Sequence, residues 1–323
     1  MWSKLKKYFK SREKITHYSK LEDNDINILK FFYKKKETIE QIAYLMDLSR
    51  VRVKYEINKI KKQEEEEKIK KNKQMKIKEK EKKIIIGIIG AMDVEIENFK
   101  KIFKDIKIEK YLNFEFYKTT FNNNEIIFTC SEIGKVFSTI TTTILIEKYK
   151  SEIILFSGVA GSLNNKLKIG DILIANNLVQ HDVDISIFGY KKGYIPNTTI
   201  FEKNSPFIKQ NKKLINIINE IKKDISFDFN ITEGIIATGD QFVSSNNKKN
   251  EIKKEYNADA IEMEGASVAI VSKLYKVPSL IIRSISDNAD DNATQSFDDF
   301  VKIAASNSSS LIMEVLKKIN NDI

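Results

Sequence analysis

Downstream of residue 83 the chain alternates between two hydrophobic rhythms. Short apolar runs recur: "IIIGIIGAM", "EIIFTC", "EIILFS", "DILIAN", "GIIATG", "DAIEM" and "SLIIRSIS". Unbroken runs of this length are what strands buried on both faces look like. Between them lie longer stretches, "DVEIENFKKIF", "STITTTILIEKYK", "KLINIINEIKK" and "EGASVAIVSKLYK", with apolar residues three and four apart. That is the period of a helix with one buried face. Buried strands alternating with helices predict an α/β domain around a largely parallel or mixed sheet. In such folds ligands bind at the carboxyl ends of the strands.

Upstream the pattern is purely helical. "NDINILKFFY" has helical spacing. In "TIEQIAYLMD", Thr38 and Gln41 stand as a capping box requires, and Ile39, Ile42, Ala43 and Met46 form one stripe. "LSRVRVKYEINKIKK" then starts a further helix, with Ser49 as N-cap and Arg50, Arg52 and Lys54 on its exposed face. Residues 24–62 resemble the helix-turn-helix of sigma-factor-like and other bacterial DNA-binding proteins. DNA as a partner and a small helical interaction module are both open readings. Residues 63–83, "QEEEEKIKKNKQMKIKEKEKK", are almost entirely charged and predict a solvated helix or a flexible linker. The expected organisation is a helical module at 1–62, a charged linker at 63–83 and an α/β domain at 84–323.

Charge supports that division. The net charge of +10 is uneven: residues 1–83 carry 26 Lys and Arg against 14 Asp and Glu, and the remainder carries 29 against 31. The single cysteine, Cys130, excludes an internal disulfide and fits a reducing compartment. Its apolar setting predicts a buried structural thiol. The basic N-terminus lacks an apolar run behind it, so it is not read as a secretory signal. No run approaches 18 apolar residues, so no transmembrane helix and no membrane partner are expected, and the cytoplasm is the expected location.

The strand-end rule selects candidate residues. The first strand ends at "GAM", with Glu95 in the helical turn beyond it. "EIILFS" leads into the small-residue segment "GVAGS", read as a turn that lets a ligand approach backbone N–H groups. "GIIATG" leads to Asp240, Phe242 and Val243; "AIEM" to Met263 and Glu264; "LIIRSIS" to Asp287, with Arg283 and Ser286 beside it. Singly, each has a plain structural reading. Glu95 suits a helix dipole, Asp287 a loop or cap, and Phe242 a core. Three carboxylates, an arginine and an aromatic ring on one rim together form a catalytic set. Glu262 lies inside its strand and needs a buried donor, Arg283 or another.

The segments "IGIIGAMDVEIE", "SEIGKV", "SGVAGSL", "KIGDILIA", "HDVDISIFGY", "GIIATGDQFV", "AIEMEGASVA", "IRSISDNAD" and "SFDDF" follow one another across 84–323. In that order they closely resemble the 5′-methylthioadenosine/S-adenosylhomocysteine nucleosidases of the purine nucleoside phosphorylase-like superfamily. The resemblance implies a three-layer α/β/α sandwich with a central mixed sheet, working as a homodimer without metal or cofactor. It implies hydrolysis of the N-glycosidic bond of an adenine nucleoside by water. By the same resemblance Asp287 protonates adenine N7, held by Ser286; Glu95 activates water, with Arg283 helping to hold it; and Glu264 binds the ribose hydroxyls. Met263 would lie along the sugar, Phe242 stack on adenine, and the Val243 backbone read the adenine edge. Ile133, Met92, Val159 and Phe297 would line the pocket, and Phe188 and Pro196 would reach a neighbouring subunit's 5′-alkylthio pocket. His181 is read as a structural hydrogen-bond partner and His17 as exposed. Val159 stands where some relatives have a small polar residue, and Asp93 and Val94 precede Glu95 where relatives often have further acids. The residues before Ile84 are an addition to the usual enzyme.

Two other readings compete. The first alternative is a regulator whose nucleosidase-like domain senses adenine nucleosides while the helix-turn-helix binds DNA; a pure sensor need not keep a water-activating acid, but sensing and hydrolysis are compatible. The second, a purine nucleoside phosphorylase, is disfavoured by Glu95, which would repel phosphate beside "AMDVE", and by the Asp at 287.

Overall fold

The computed structural model describes residues 23–81 and 83–319. His17 lies outside them. The chain divides between Glu81 and Lys82 into two compact units.

The first unit is helical. Helix α1 spans Asp23–Lys34, α2 Ile39–Met46 and α3 Arg50–Glu81. The Thr38 capping box is formed: its hydroxyl accepts from Gln41 N, and the Gln41 side chain accepts from Thr38 N. Ser49 caps α3 through Arg52 N at 3.2 Å. Leu29, Phe32, Ile42, Met46, Val53, Ile57 and Ile60 make one small core. The charged stretch that follows continues α3 without a break as far as Glu81.

The second unit holds a mixed sheet. Its strands are β1 Ile85–Gly90, β2 Lys107–Tyr111, β3 Phe114–Phe121, β4 Asn124–Cys130, β5 Ile153–Ser162, β6 Ile172–Gln180, β7 Ile208–Lys209, β8 Ile231–Thr238, β9 Ala260–Glu262 and β10 Ser279–Asp287. The helices are α4 Asp93–Ile102, α5 Lys135–Glu147, α6 Lys212–Asp224, α7 Asn246–Tyr256, α8 Gly265–Tyr275 and α9 Ala293–Lys318. The strand order is β10-β6-β8-β9-β5-β1-β4-β3-β2, with β7 on β6. Strand β10 also pairs in parallel with β5, so β5, β10, β6, β8 and β9 close into a ring.

The two-residue period of a strand divides its side chains between two cores. Ile154 and Phe156 of β5, with Ile281 and Ile285 of β10, face α5 and α8. Ile153 and Leu155, with Leu280 and Ile282, face α4, α6 and α9. Helices thus cover both faces, and the three-layer α/β/α expectation holds. One detail differs. "GVAGS" is not a turn; it is the buried carboxyl half of β5, held between β10 and β9.

Candidate active site

Chain segments at the carboxyl ends of β1, β4, β5, β8, β9 and β10 converge with the start of α9. They enclose a cavity lined by Met92, Glu95, Ile133, Val159, Phe242, Met263, Glu264, Ser286, Asp287 and Phe297, together with Ala91, Ala160, Gly161, Ile261 and Glu262.

Glu95 does not spend its charge on solvent, as a first-turn acid usually does. It is buried. One carboxylate oxygen accepts from Ala91 N at 2.6 Å and Met92 N at 3.0 Å, the other from Val159 N at 2.9 Å. Burial raises its pKa, opposed by Arg283 and by those three N–H groups. A carboxylate held this way is a fixed acceptor with a raised proton affinity, which suits a general base.

The small residues of β5 make room for acids rather than for a turn. A Cβ on Gly158 would lie 2.8 Å from Glu95 Oε1 and 2.9 Å from Arg283 Nη1; one on Gly161 would lie 2.7 Å from Asp287 Oδ1. Asp287 ends β10, buried. Its Oδ1 accepts from Ala289 N at 2.8 Å and its Oδ2 from the Ser286 hydroxyl at 2.9 Å. Burial pushes its pKa up against those two bonds. Ser286 therefore stands where it can orient the carboxyl.

Glu262 and Glu264 have separate surroundings. Glu262 Oε2 accepts from Arg283 Nη2 at 2.7 Å, Glu264 N at 3.0 Å and Gly265 N at 2.6 Å, and its other oxygen accepts from Thr238 Oγ1. Glu264 accepts from Gly134 N at 2.8 Å, and its other oxygen lies 3.9 Å from Arg283. Burial and then the Glu262 charge push its pKa up to about 8, against the pull of Arg283.

Four expected site residues lie elsewhere. Arg283 is 1% exposed behind the cavity wall, its guanidinium 3.9 Å above the Phe156 ring. Val243 is buried beside Phe242 without lining the cavity. Phe188, on a short turn at Ser186–Phe188, is 76% exposed, and Pro196 is half-buried; neither reaches this chain's cavity. Phe242 is half exposed and meets Phe297 edge-on at 5.7 Å. His181 is buried, yet its Nε2 has no hydrogen-bond partner, so the expected bonding role fails at that atom. Burial lowers its pKa. Cys130 is half-buried, and burial pushes its thiol up to about 11.

An ion-pair cluster whose pairing the sequence does not reveal joins residues of "SEIGKV", "QHDVD" and "GDQFV". Lys135 Nζ meets Asp182 at 2.7 Å, Lys135 N donates to Asp240 at 2.8 Å, and Asp240 N donates to Asp182 at 2.9 Å. The cluster ties the α5 start, beside Ile133 and Gly134, to the segment that carries Phe242. A larger depression, lined by Asn164, Asp171, Lys222 and Asp259, lies at the amino ends of β6 and β8, away from all these groups. Among the described residues no helix is long and apolar enough to cross a membrane.

The chain belongs to the phosphorylase superfamily, whose family profile matches residues 85–317. Within it the chain is an N-glycosyl hydrolase, as its relatives' names agree. It is 40% identical over 234 residues to the aminodeoxyfutalosine nucleosidase of Campylobacter jejuni, covering 72% of this chain and 99% of that one. It is 41% identical over 237 residues to the 5′-methylthioadenosine/S-adenosylhomocysteine nucleosidase of Buchnera aphidicola, covering 73% and 97%. The Helicobacter pylori 5′-methylthioadenosine/S-adenosylhomocysteine nucleosidase, solved with a pyrrolopyrimidine-bearing pyrrolidine, superposes with a TM-score of 0.68 at 41% identity, covering 73% and 99%.

Proposed function

We propose that the protein hydrolyses 5′-methylthioadenosine and S-adenosylhomocysteine, releasing adenine and the 5-thio-ribose product. The observation that carries this is the convergence of Glu95, Glu264 and Asp287 on one cavity with Phe242 at its edge. Asp287, whose proton affinity burial raises, acts as the acid that gives a proton to adenine N7 as the glycosidic bond breaks and its electron pair moves into the purine. Glu95 takes a proton from the water that bonds to the anomeric carbon. Glu264 binds the ribose hydroxyls, and those bonds strengthen as positive charge grows on the ring. Met263 packs along the sugar. Phe242 stacks on the base, worth about 1–3 kcal/mol for base–aromatic stacking. Arg283 acts as a positioning residue, holding Glu262 and biasing Glu95 and Glu264 from behind the wall. A homodimer in which Phe188 and Pro196 complete the neighbour's 5′ pocket accounts for the exposure of Phe188.

Aminodeoxyfutalosine is a second reading, favoured by the 40% identity to a relative named for it. The test is adenine release, followed by chromatography, from methylthioadenosine, S-adenosylhomocysteine and aminodeoxyfutalosine, with and without phosphate. Phosphate-independent release from the first two supports the proposal. Release that requires phosphate, or from aminodeoxyfutalosine alone, overturns it.

A further inference from the structure

The first unit offers a surface that the nucleosidase chemistry does not use. Helix α3 opens with Arg50, Val51, Lys54, Tyr55, Asn58 and Lys62 exposed. Positions 51, 54, 55, 58 and 62 fall on one helical face, and Arg50 flanks it. Val51 is 79% and Tyr55 62% exposed, and Tyr44 on the preceding helix is 84% exposed. No carboxylate is exposed from residue 48 to residue 63, all of them described residues. The one acid there, Glu56, is buried and paired with Arg52 at 3.0 Å. The face then ends abruptly at Glu64–Glu67. Thirteen residues of helix are roughly 20 Å long.

We propose that this face of α3, residues 50–62, binds duplex DNA in the major groove. Three features select that partner. Along residues 48–63 the cations sit without competing exposed acids, as phosphate contact requires, and the exposed Asp47 lies in the turn before them. Asn58, Tyr55 and Val51 interleave with them, giving a polar group and apolar surfaces for base edges and thymine methyls. The helix is presented at its amino end by a short helix, α2, across the turn Asp47–Ser49, and a bare helix face fits the major groove of B-form DNA. The major groove of duplex RNA is too deep and narrow to be read this way. The glutamates after Lys62 would repel phosphate and so bound the footprint.

The test is fluorescence polarisation of the full-length protein with a labelled mixed-sequence 30-base-pair DNA duplex. Three or so phosphate contacts predict a fall in affinity of roughly 40-fold between 50 and 200 mM salt. The double substitution Arg50→Glu, Lys54→Glu lies on exposed positions and should leave adenine release unchanged. It should weaken DNA binding at least tenfold and flatten the salt slope by about 2. Duplex RNA and poly-glutamate serve as competitors. No binding at 50 mM salt, binding indifferent to the double substitution, or equal competition by RNA or poly-glutamate each overturns the assignment.

Discussion

Replacing Glu264 with Gln should stabilise the protein, and the gain should depend on pH in a defined way. The carboxyl is buried beside the Glu262 charge, and its pKa is pushed from 4.5 up to about 8. Between those values the folded state binds a proton that the unfolded state does not. Stability therefore falls as pH rises from 4.5 through 8 and is flat on either side. Three and a half units at about 1.4 kcal/mol each set a ceiling of about 5 kcal/mol. Arg283, 3.9 Å away, can move toward Glu264 as it ionises, which should bring the realised cost to about 2–3 kcal/mol. The amide carries no such cost and can still accept from Gly134 N. Thermal melts of both proteins at pH 5, 6.5 and 8 measure the difference. It should be small at pH 5 and reach roughly 4–6 °C in favour of the Glu264→Gln variant at pH 8, for a unit of about 240 residues. A difference that does not change with pH, or one that favours the unsubstituted protein at pH 8, would refute the reasoning.

Three further outcomes follow from the geometry. Arg283→Met leaves Glu262 buried without its cation and should cost about 3–5 kcal/mol in urea unfolding; adding Glu262→Gln should recover much of that. Gly158→Ala puts a methyl 2.8 Å from Glu95 Oε1, so kcat should fall tenfold or more while KM changes less. Asp240→Ala removes the acceptor of the Lys135 N–H and its contact with Lys135 Nζ, freeing the Phe242 segment from the α5 start, so steady-state kinetics should show KM rising several-fold with kcat less affected.

The second unit was legible where burial is complete. Strands covered on both faces have no polar alternation, so "IIIGIIG" and "EIILFS" announced β1 and β5 directly. Strand β2, Lys107–Tyr111, is solvent-facing along most of its length and offers no apolar run. Helix α9 carries "AASNSSS" against the sheet, because small side chains let it pack closely, and that segment has no hydrophobic signature. "GVAGS" misled for a related reason. Small residues usually mean a turn, but here they are a strand emptied of side chains so that Glu95, Arg283 and Asp287 can occupy the space. The acids that line the cavity were recoverable because the strand-end rule depends only on where a run stops. The Lys135–Asp182–Asp240 cluster was not, since its members are far apart in sequence and each resembles an ordinary surface charge.

Two acids one residue apart in "AIEMEG" first suggest a shared task. The backbone divides them: β9 stops at Glu262, α8 begins at Gly265, and Glu264 sits at the bend with φ −136° and ψ −35°. Glu262 is met by Arg283, Thr238 and two backbone N–H groups, which fix its carboxylate in place inside the protein. That fixed charge is the second cause, after burial, of the raised pKa of Glu264. The two residues therefore remain coupled, but as setter and responder. Glu262 holds the arginine, and with it sets how tightly Glu264 keeps its proton. A ligand hydroxyl that donates to Glu264 favours its ionised form, and so must displace that proton or share it.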